Sequence, residues 1–375
     1  MSQPPPVAAA PPPPAPVEPP PPAPPPPAVS PDLAGIAEGR TVVALLLPLS
    51  GASATFGAAL LEAAQIAALD AGEGILVAPH DTAGTPEGAA AAAQAALDGG
   101  ARIVLGPLFS TGVQAAAAAT RSRGVPMIAF TNDAAVAGNG VWIMGLRPDP
   151  QVDRVVTEAA AAGLQRFAVL APASAYGQLA LQAAERVVPA RGGQIVGVEL
   201  YDPGGGDAQD AARRLSSSRA EAVLLADGPP RAAQVAPIYA YYEPSGARAR
   251  FLGTALLEDP SMWREPALYG AWFAAPTPDV RAPFVDRFRS IHGRPPPRLA
   301  TLAYDAVALA GALARQGDFS AAAIEQSNGF TGLDGLFRFR PDGTADRALA
   351  VMEIRRGQAP VVVRPAPAGF DDRPS

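Results

Sequence analysis

The stretch TVVALLLPLSGASATFG, Thr41–Gly57, decides the fold prediction. It begins with the apolar run Val42–Leu47, continues through a Pro/Ser/Gly loop and leads into a helical pattern over Ala58–Ala71. A short run without polar alternation indicates a strand buried on both faces, as in a parallel sheet covered by helices. In such sheets, ligands bind beyond the carboxyl ends of the strands. We therefore expect the loop Pro48–Gly51 to line a ligand cleft.

The same strand, loop and helix pattern recurs along the chain. Four such units run to about residue 133, and a second series starts near Phe167. Short loops between alternating strands and helices predict parallel sheets with right-handed crossovers. The repetition predicts two similar α/β lobes and not one long sheet. Near the end, Leu336–Arg340 and Ala348–Arg355 flank a Pro-Asp-Gly-Thr turn, which predicts an antiparallel hairpin.

The composition excludes several classes of function. A net charge of −6 over 375 residues is far from that of a nucleic-acid-binding polycation, so we expect no nucleic-acid partner. Cysteine is absent, and every basic side chain other than the two histidines is arginine. This excludes disulfides, thiolate metal sites, cysteine nucleophiles and catalytic lysines. No apolar run reaches the roughly 18 residues that a membrane-spanning helix needs.

The first 38 residues differ sharply in composition from the rest. Their runs of proline and alanine cannot form helices or sheet ladders, because proline lacks an N–H group and fixes φ. We expect a disordered, polyproline-II-biased tether; an inert low-complexity leader is the alternative. No signal-peptide pattern and no cysteine for a lipid anchor are present. Either a native start with an export signal has been trimmed, or the protein stays inside the cell.

Motifs for catalysis are missing from the chain. His80 and His292 are far apart in sequence, and neither belongs to a metal-ligand motif. There is no G-x-S-x-G nucleophile elbow, and no G-x-G-x-x-G follows the first strand. We predict a non-enzymatic protein with no cofactor and no metal.

Polar side chains at the predicted strand ends indicate a small-molecule site. Hydroxyl and free N–H groups beside helix N-termini suit a carboxylate, because the start of a helix carries partial positive charge. For Ser110 and Thr131, a plain helix cap is the alternative. Their repetition at successive strand ends favours a cleft. The predicted ligand-binding residues are Ser50, Ser110, Thr111, Thr131, Asn132, Tyr176 and Asp227.

Taken in order, segments of the chain resemble the type I periplasmic binding proteins of the leucine-binding kind. The segments are Leu47–Gly51 with Phe56-Gly57, Gly106-Pro107 with Ser110, Val125-Pro126 with Thr131-Asn132, Tyr176-Gly177, Ala303–Val307 and Phe330–Gly335. The resemblance covers Thr41 to about Gly357. It implies two Rossmann-like lobes, each a parallel sheet flanked by helices, with a ligand held between them by hinge closure.

The resemblance also implies where the lobes divide. Three crossing segments are expected near Arg147, Pro276 and Phe330. Lobe 1 then comprises residues 39–147 and 276–330, and lobe 2 comprises residues 148–275 and 331–364. Residues 1–38 form the tether, and a frayed tail is expected over residues 365–375.

Two strings, residues 129–146 and 252–276, are similar to alphaproteobacterial penicillin-binding-protein activators. These are envelope lipoproteins thought to stimulate peptidoglycan synthases. The resemblance implies a periplasmic or outer-membrane-tethered protein with a small amino-acid-like or peptide-like ligand and a peptidoglycan synthase as partner. The alternative is the receptor of an amino-acid ABC importer, with a permease as partner. Membrane contact is expected only through the missing lipid anchor.

The roles of leucine-binding residues transfer incompletely. The resemblance implies that Ser110 and Thr131 hold a ligand carboxylate and that Tyr176 closes from the second lobe. The acidic partner of a ligand amino group should directly follow Gly253, but Thr254 is found there. An ammonium group buried without an acidic partner would cost several kcal/mol, which weakens the case for a free amino acid. The remaining candidates for this partner are Asp227, Glu258 and Asp259.

Overall fold

The first part of the chain alternates strands and helices. The computed structural model describes residues 39–244 and 248–370, so the predicted tether lies outside the described residues. The elements up to residue 143 are β1 (Thr41–Leu47), α1 (Ala54–Ala71), β2 (Ile75–Asp81), α2 (Pro86–Asp98), β3 (Ile103–Leu105), α3 (Ser110–Ser122), β4 (Met127–Ala129) and β5 (Val141–Ile143). The five strands form one parallel sheet in the order β2-β1-β3-β4-β5.

Strand β1 lies inside this sheet because its side chains are buried on both faces, as its apolar run predicts. Val43, Leu45 and Leu47 pack in one core with helix α1, whereas Val42, Ala44 and Leu46 pack in another with α2 and α3. Helices therefore cover both faces of the first sheet.

The middle of the chain builds a second sheet. Its elements are α4 (Pro148–Ala161), β6 (Arg166–Pro172), α5 (Ala175–Ala190), β7 (Gln194–Tyr201), α6 (Ala208–Leu215), β8 (Ala222–Leu225), α7 (Arg231–Tyr242), β9 (Arg250–Gly253) and β10 (Trp272–Ala275). Helices α4 and α5 cover one face of this sheet, and α6 and α7 cover the other. The predicted α/β class with two sheets flanked by helices is confirmed.

The last part of the chain returns to the first sheet and then to the second. Its elements are α8 (Pro278–His292), α9 (Ala300–Gln316), α10 (Ala321–Ile324), β11 (Phe330–Gly332), β12 (Gly335–Phe339), β13 (Ala345–Arg347), β14 (Ala350–Glu353) and β15 (Val361–Arg364). Helix α9 packs on α1, and α8 packs against both. Strands β11, β12 and β13 form a small antiparallel sheet. Strands β14 and β15 join the second sheet in the order β15-β14-β10-β9-β8-β6-β7.

Two predictions about this last part are wrong. Phe337 and Phe339 are buried in the same core as β1, so β11–β13 belong to the first lobe and the third crossing falls at residues 348–349, not near Phe330. The predicted hairpin does form around the Pro341–Thr344 turn, but its second strand was placed wrongly: β12 pairs with β13 (Ala345–Arg347), whereas β14 (Ala350–Glu353) pairs antiparallel with β10. Chain order alone does not say which sheet a short strand joins.

The predicted frayed tail is ordered as far as it is described. Phe370 is buried, and the guanidinium of Arg338 lies 4.5 Å from the centre of its ring. The carbonyl oxygen of Pro365 accepts a hydrogen bond from Arg154. Residues 371–375 lie outside the described residues. Within the described ranges, no helix is long and apolar enough to cross a membrane.

Candidate ligand cleft

Three of the predicted site residues follow neighbouring strands of the first sheet. Ser50 comes after β1, Ser110 after β3 and Thr131 after β4, and these strands are adjacent and parallel. The loops after β3 and β4 are joined by a hydrogen bond from the amide of Phe130 to the carbonyl oxygen of Pro107, at 3.0 Å. The fold therefore brings these three side chains to the same edge, as the sequence predicts.

Ser50 is tied to a carboxylate that the sequence reasoning missed. Asp81, the last residue of β2, accepts hydrogen bonds from the amides of Leu49, Ser50 and Ala83 at 2.7 to 3.2 Å. Burial alone would raise the pKa of Asp81, but a hydrogen bond from the Ser50 side chain and these amides outweigh it and lower the pKa. Asp81 is thus a charged anchor that fixes the loop after β1, and Ser50 helps to hold it.

Ser110 starts helix α3 but does not cap it. The N-cap residue is Phe109, and Ser110 is the first helical residue. Among the described residues, the half-buried Ser110 hydroxyl has no hydrogen-bond partner, and Thr111 beside it is exposed. A free hydroxyl next to the unpaired amides of a first helical turn can receive an anionic ligand group.

Thr131 supports a turn at the same edge. Its buried hydroxyl oxygen accepts a hydrogen bond from the amide of Asp133 at 3.1 Å, and the carboxylate of Asp133 in turn caps the following short 3-10 helix. The O–H hydrogen of Thr131 remains able to donate. Asn132 is exposed beside it. The cap is therefore Asp133, so neither Ser110 nor Thr131 is explained as a helix cap.

The corresponding edge of the second sheet is occupied by side chains that already bond to one another. The Tyr176 hydroxyl, at the start of α5, donates to the buried Thr254 after β9 at 2.8 Å. After β8, Asp227 accepts from the Tyr201 hydroxyl at 2.6 Å, and the guanidinium of Arg231 lies 3.8 Å away. Burial raises the pKa of both tyrosines, and the charge of Asp227 raises them further. Both tyrosines are neutral donors at physiological pH.

Glu258 and Asp259, the two remaining candidates for an acidic partner of a ligand amino group, already bond to other residues of the protein. Glu258 is nearly buried and pairs with Arg281 at 2.7 Å and with Arg298 at 2.9 Å. Asp259 accepts hydrogen bonds from the amide and hydroxyl of Ser261. Neither carboxylate is available to a ligand ammonium in this structure.

The pairing of Glu258 joins the two lobes. Glu258 follows β9 of the second sheet, whereas Arg281 lies on α8 and Arg298 precedes α9 of the first lobe. Arg298 also reaches Asp334, which has no exposed side-chain surface and accepts a hydrogen bond from Thr301. We refer to Glu258, Arg281, Arg298, Thr301 and Asp334 as the interlobe network. The sequence contains no signal for it, because Glu258, Arg281, the Arg298–Thr301 pair and Asp334 are separated by long stretches of chain.

The chain belongs to the periplasmic binding protein family, whose sequence profile matches residues 41–359. The family consists of binding proteins, so the prediction of a non-enzymatic protein is confirmed. No curated protein matches the chain.

Solved structures show the same fold. A branched-chain amino acid ABC transporter protein from Rhodospirillum rubrum has a TM-score of 0.77 at 22% identity and covers 86% of this chain and 100% of its own. A leucine-binding protein from Thermotoga maritima has a TM-score of 0.65 at 22% identity, and the match covers 89% of this chain and 100% of that protein. A solute-binding protein from R. palustris in complex with benzoate has a TM-score of 0.65 at 20% identity, covering 88% and 98%.

Proposed function

We propose that this protein binds a small carboxylate-bearing ligand between its two lobes. The observation that carries the proposal is the set of donors at the edge of the first sheet. The Ser110 hydroxyl lacks a partner among the described residues, it adjoins the first-turn amides of α3, and the Thr131 hydroxyl lies one strand away with its hydrogen unused. Donors without acceptors beside a helix N-terminus favour a carboxylate.

On the other side of the proposed ligand, the second lobe presents uncharged hydroxyl groups whose hydrogens already bond within that lobe. Tyr176 and Tyr201 hold hydroxyl groups at its edge, and Asp227 is partly neutralised by Arg231. Thr254 occupies the position at which an acidic residue would bind an amino group. Glu258 already forms ion pairs with two arginines. This arrangement favours a peptide-like ligand, or a carboxylate without a free α-amino group, over a simple amino acid. The benzoate bound to the R. palustris protein is a ligand of that second kind.

The proposed ligand can be tested by thermal unfolding of the full chain in the presence of the twenty amino acids, benzoate and muropeptides. A ligand at a hundred times its Kd stabilises the folded state by about 2.7 kcal/mol, which raises Tm by a few degrees. Ser110→Ala should weaken binding about tenfold or more, because it removes a hydrogen bond to a charged group. Ser122→Ala is the matched control, since Ser122 ends the same helix and its hydroxyl donates locally to the carbonyl oxygen of Ala119.

Two results would contradict the proposed site. One is the absence of a shift with any of these compounds. The other is a shift that Ser110→Ala and Ser122→Ala reduce equally, because that would place the ligand away from the start of α3.

At the level of the cell, we propose that the protein is a periplasmic member of the penicillin-binding-protein-activator branch and regulates peptidoglycan synthesis. The similarity of residues 129–146 and 252–276 to that branch supports this role, and so does the proline-rich composition of residues 1–38. The test is peptidoglycan polymerisation by a purified synthase with and without this protein. A rise in rate is expected, and an unchanged rate across the synthases of the same organism would contradict the role.

The alternative role is that of a receptor for an ABC importer. It is favoured by the structural similarity to transporter proteins from R. rubrum and R. palustris. Uptake of the ligand found by thermal unfolding distinguishes the two roles, because loss of uptake in a deletion strain is expected only for the receptor.

A further inference from the structure

A cavity lies away from the proposed cleft, where the chain passes between the lobes. Its volume is about 630 Å³, within the range of small-molecule pockets. One wall consists of α4 and the end of α5, from the second lobe, and the other is the 340–347 segment of β12–β13, which packs with the first lobe. Arg147 and Leu349, at two of the crossing segments, complete it. We refer to it as the hinge cavity.

The hinge cavity is distinct from the proposed ligand cleft. Tyr176 lies at the start of α5, whereas Arg186 and Arg191 line the cavity from the other end of that helix. At 1.5 Å per residue, Arg191 is about 20 Å along the helix axis from Tyr176. A ligand in one site would not touch the other.

The lining of the hinge cavity is positively charged. Six arginines and four aspartates contribute to it. Arg147 and Arg186 pair with Asp149 and Asp153, respectively. Over residues 39–244 and 248–370, no carboxylate lies within 4 Å of Arg191 or Arg347. The Arg191 guanidinium donates a hydrogen bond to the Thr157 hydroxyl at 3.2 Å. Arg154 pairs with Glu158, and Arg340 lies within 4 Å of Asp342 and Asp346, so in the described part of the chain Arg191 and Arg347 are the two lining arginines without a carboxylate partner.

The buried nitrogens of Arg347 are a second indication of a ligand, besides the positive charge of the cavity lining. Its side chain is 7% exposed, and one nitrogen donates to the carbonyl oxygen of Met144 at 2.8 Å. Its Nε and Nη1 are buried and have no hydrogen-bond partner among the described residues. A guanidinium carries five N–H donors, and buried donors without acceptors are costly. An anion drawn into the cavity would find here a cation that the protein does not neutralise by direct contact.

We propose that the hinge cavity binds a small dianion, either a phosphate group or a dicarboxylate, through Arg191 and Arg347. Two positive charges match a doubly charged ligand, and arginine recognises both groups with paired hydrogen bonds. Because the two walls belong to different lobes, the bound anion links them and favours one angle between them. Ligands of the cleft and of the hinge cavity then change each other's affinity by the same factor.

The proposal is tested by thermal unfolding of the full chain with inorganic phosphate and with succinate, each titrated at constant ionic strength against sodium chloride. A saturable rise in Tm with either anion is expected. Arg191→Gln should weaken the response about tenfold or more, since it removes one charge-assisted contact. The matched control is Arg123→Gln, which removes an exposed arginine outside the cavity. Arg191 is itself exposed, so its variant is expected to fold.

The possible outcomes distinguish a phosphate site from a dicarboxylate site. They also distinguish failure of the hinge-cavity proposal from failure of the cleft proposal. Saturation by phosphate alone assigns a phosphate site, saturation by succinate alone assigns a dicarboxylate site, and saturation by both assigns a general dianion site. No response beyond that of sodium chloride, or an equal loss in Arg191→Gln and Arg123→Gln, overturns the proposal. The response is expected to persist in Ser110→Ala, so failure of the cleft proposal leaves this one standing.

Discussion

Helices α1 and α5, which follow strands β1 and β6 of the two lobes, begin in the same way. A Cβ atom added to Gly57, in the first turn of α1, would lie 2.0 Å from the carbonyl oxygen of Pro48. One added to Gly177, in the first turn of α5, would lie 1.9 Å from that of Pro172. In both lobes only glycine allows the helix to approach the end of the preceding strand so closely. The N-terminus of the helix is thereby held at the strand end, where ligands bind.

The residue before each glycine shows how the lobes differ. Phe56 is 53% exposed, whereas Tyr176 is half-buried and bonded to Thr254. The same contrast holds along the edges: over residues 39–244 and 248–370 the Ser110 hydroxyl of the first edge has no partner, whereas in the second edge Tyr201 donates to Asp227. The first lobe therefore offers groups to a ligand, and the second offers a surface whose own polar groups are satisfied.

The largest effect on stability is expected from Arg298→Met, which breaks the network that joins the lobes. In the variant, Arg281 is the one arginine of the described residues that remains within 4 Å of Glu258, which is nearly buried, and of Asp334, which has no exposed side-chain surface. Breaking a buried ion pair costs about 3–5 kcal/mol, to be measured by urea unfolding. Arg123→Met, in the exposed pair with Asp98, should cost at most about 1 kcal/mol. Equal losses in the two variants would show that the interlobe network does not stabilise the fold.

Substitution of Gly57 and Gly177, the glycines at matching positions in the two lobes, should give the next largest losses of stability. Gly57→Ala and Gly177→Ala each force a methyl group onto a backbone carbonyl, and overpacking of this kind costs about 1–3 kcal/mol, occasionally more. Gly206→Ala is the control, because a Cβ there would meet nothing within 4 Å. Similar losses of unfolding free energy at Gly57 and Gly177 would sharpen the comparison. A loss in only one would mean that the other junction can relax.

A smaller effect, seen as a dependence on pH, is expected from Asp305 on α9. Burial, together with the charge of Asp334, raises its pKa to about 7. The folded state then holds a proton that the unfolded state has released above about pH 4, so this group's contribution to stability falls as the pH rises from 4 to 7. One proton contributes at most about 1.4 kcal/mol per pH unit.

Asp305→Asn removes this titration. Urea unfolding at pH 5 and pH 7 should therefore show the variant gaining stability relative to the native protein at the higher pH. Asp153→Asn is the control, because Asp153 is exposed on α4. A difference between variant and native protein that is constant with pH would show that Asp305 does not titrate in this range.

Much of the fold could be predicted because the sequence of β1 is itself typical of a buried parallel strand. Its apolar run is buried on both faces, and the strand–helix alternation after it repeats often enough to define two parallel sheets. The order of Ser50, Ser110 and Thr131 along one edge follows from that topology. The predicted partner of Ala350–Glu353 was wrong, because its true partner, Trp272–Ala275, lies about 80 residues earlier and an apolar run does not specify which strand it joins.

The candidate site was predictable only where a residue directly follows a strand. Glu258 meets Arg298 across 40 residues of sequence, and Tyr176 meets Thr254 across 78. The first contact depends on how the lobes are placed and the second on the order of strands within one sheet, and composition and periodicity determine neither. The hinge cavity was missed for the same reason, since its walls come from α4, α5 and the 340–347 segment.

The smallest expected effect concerns the hydrogen bond that distinguishes the two lobes. Tyr176→Phe leaves the buried Thr254 without its donor and should cost about 0.5–1.5 kcal/mol of unfolding free energy. Phe56→Leu, at the matching but exposed position, should change it by less than about 0.5 kcal/mol. In the Tyr176→Phe/Thr254→Val double variant, the two losses should not add, because both remove the same bond. If the losses do add, the bond contributes nothing, and the edge of the second lobe is as free to bind a ligand as that of the first.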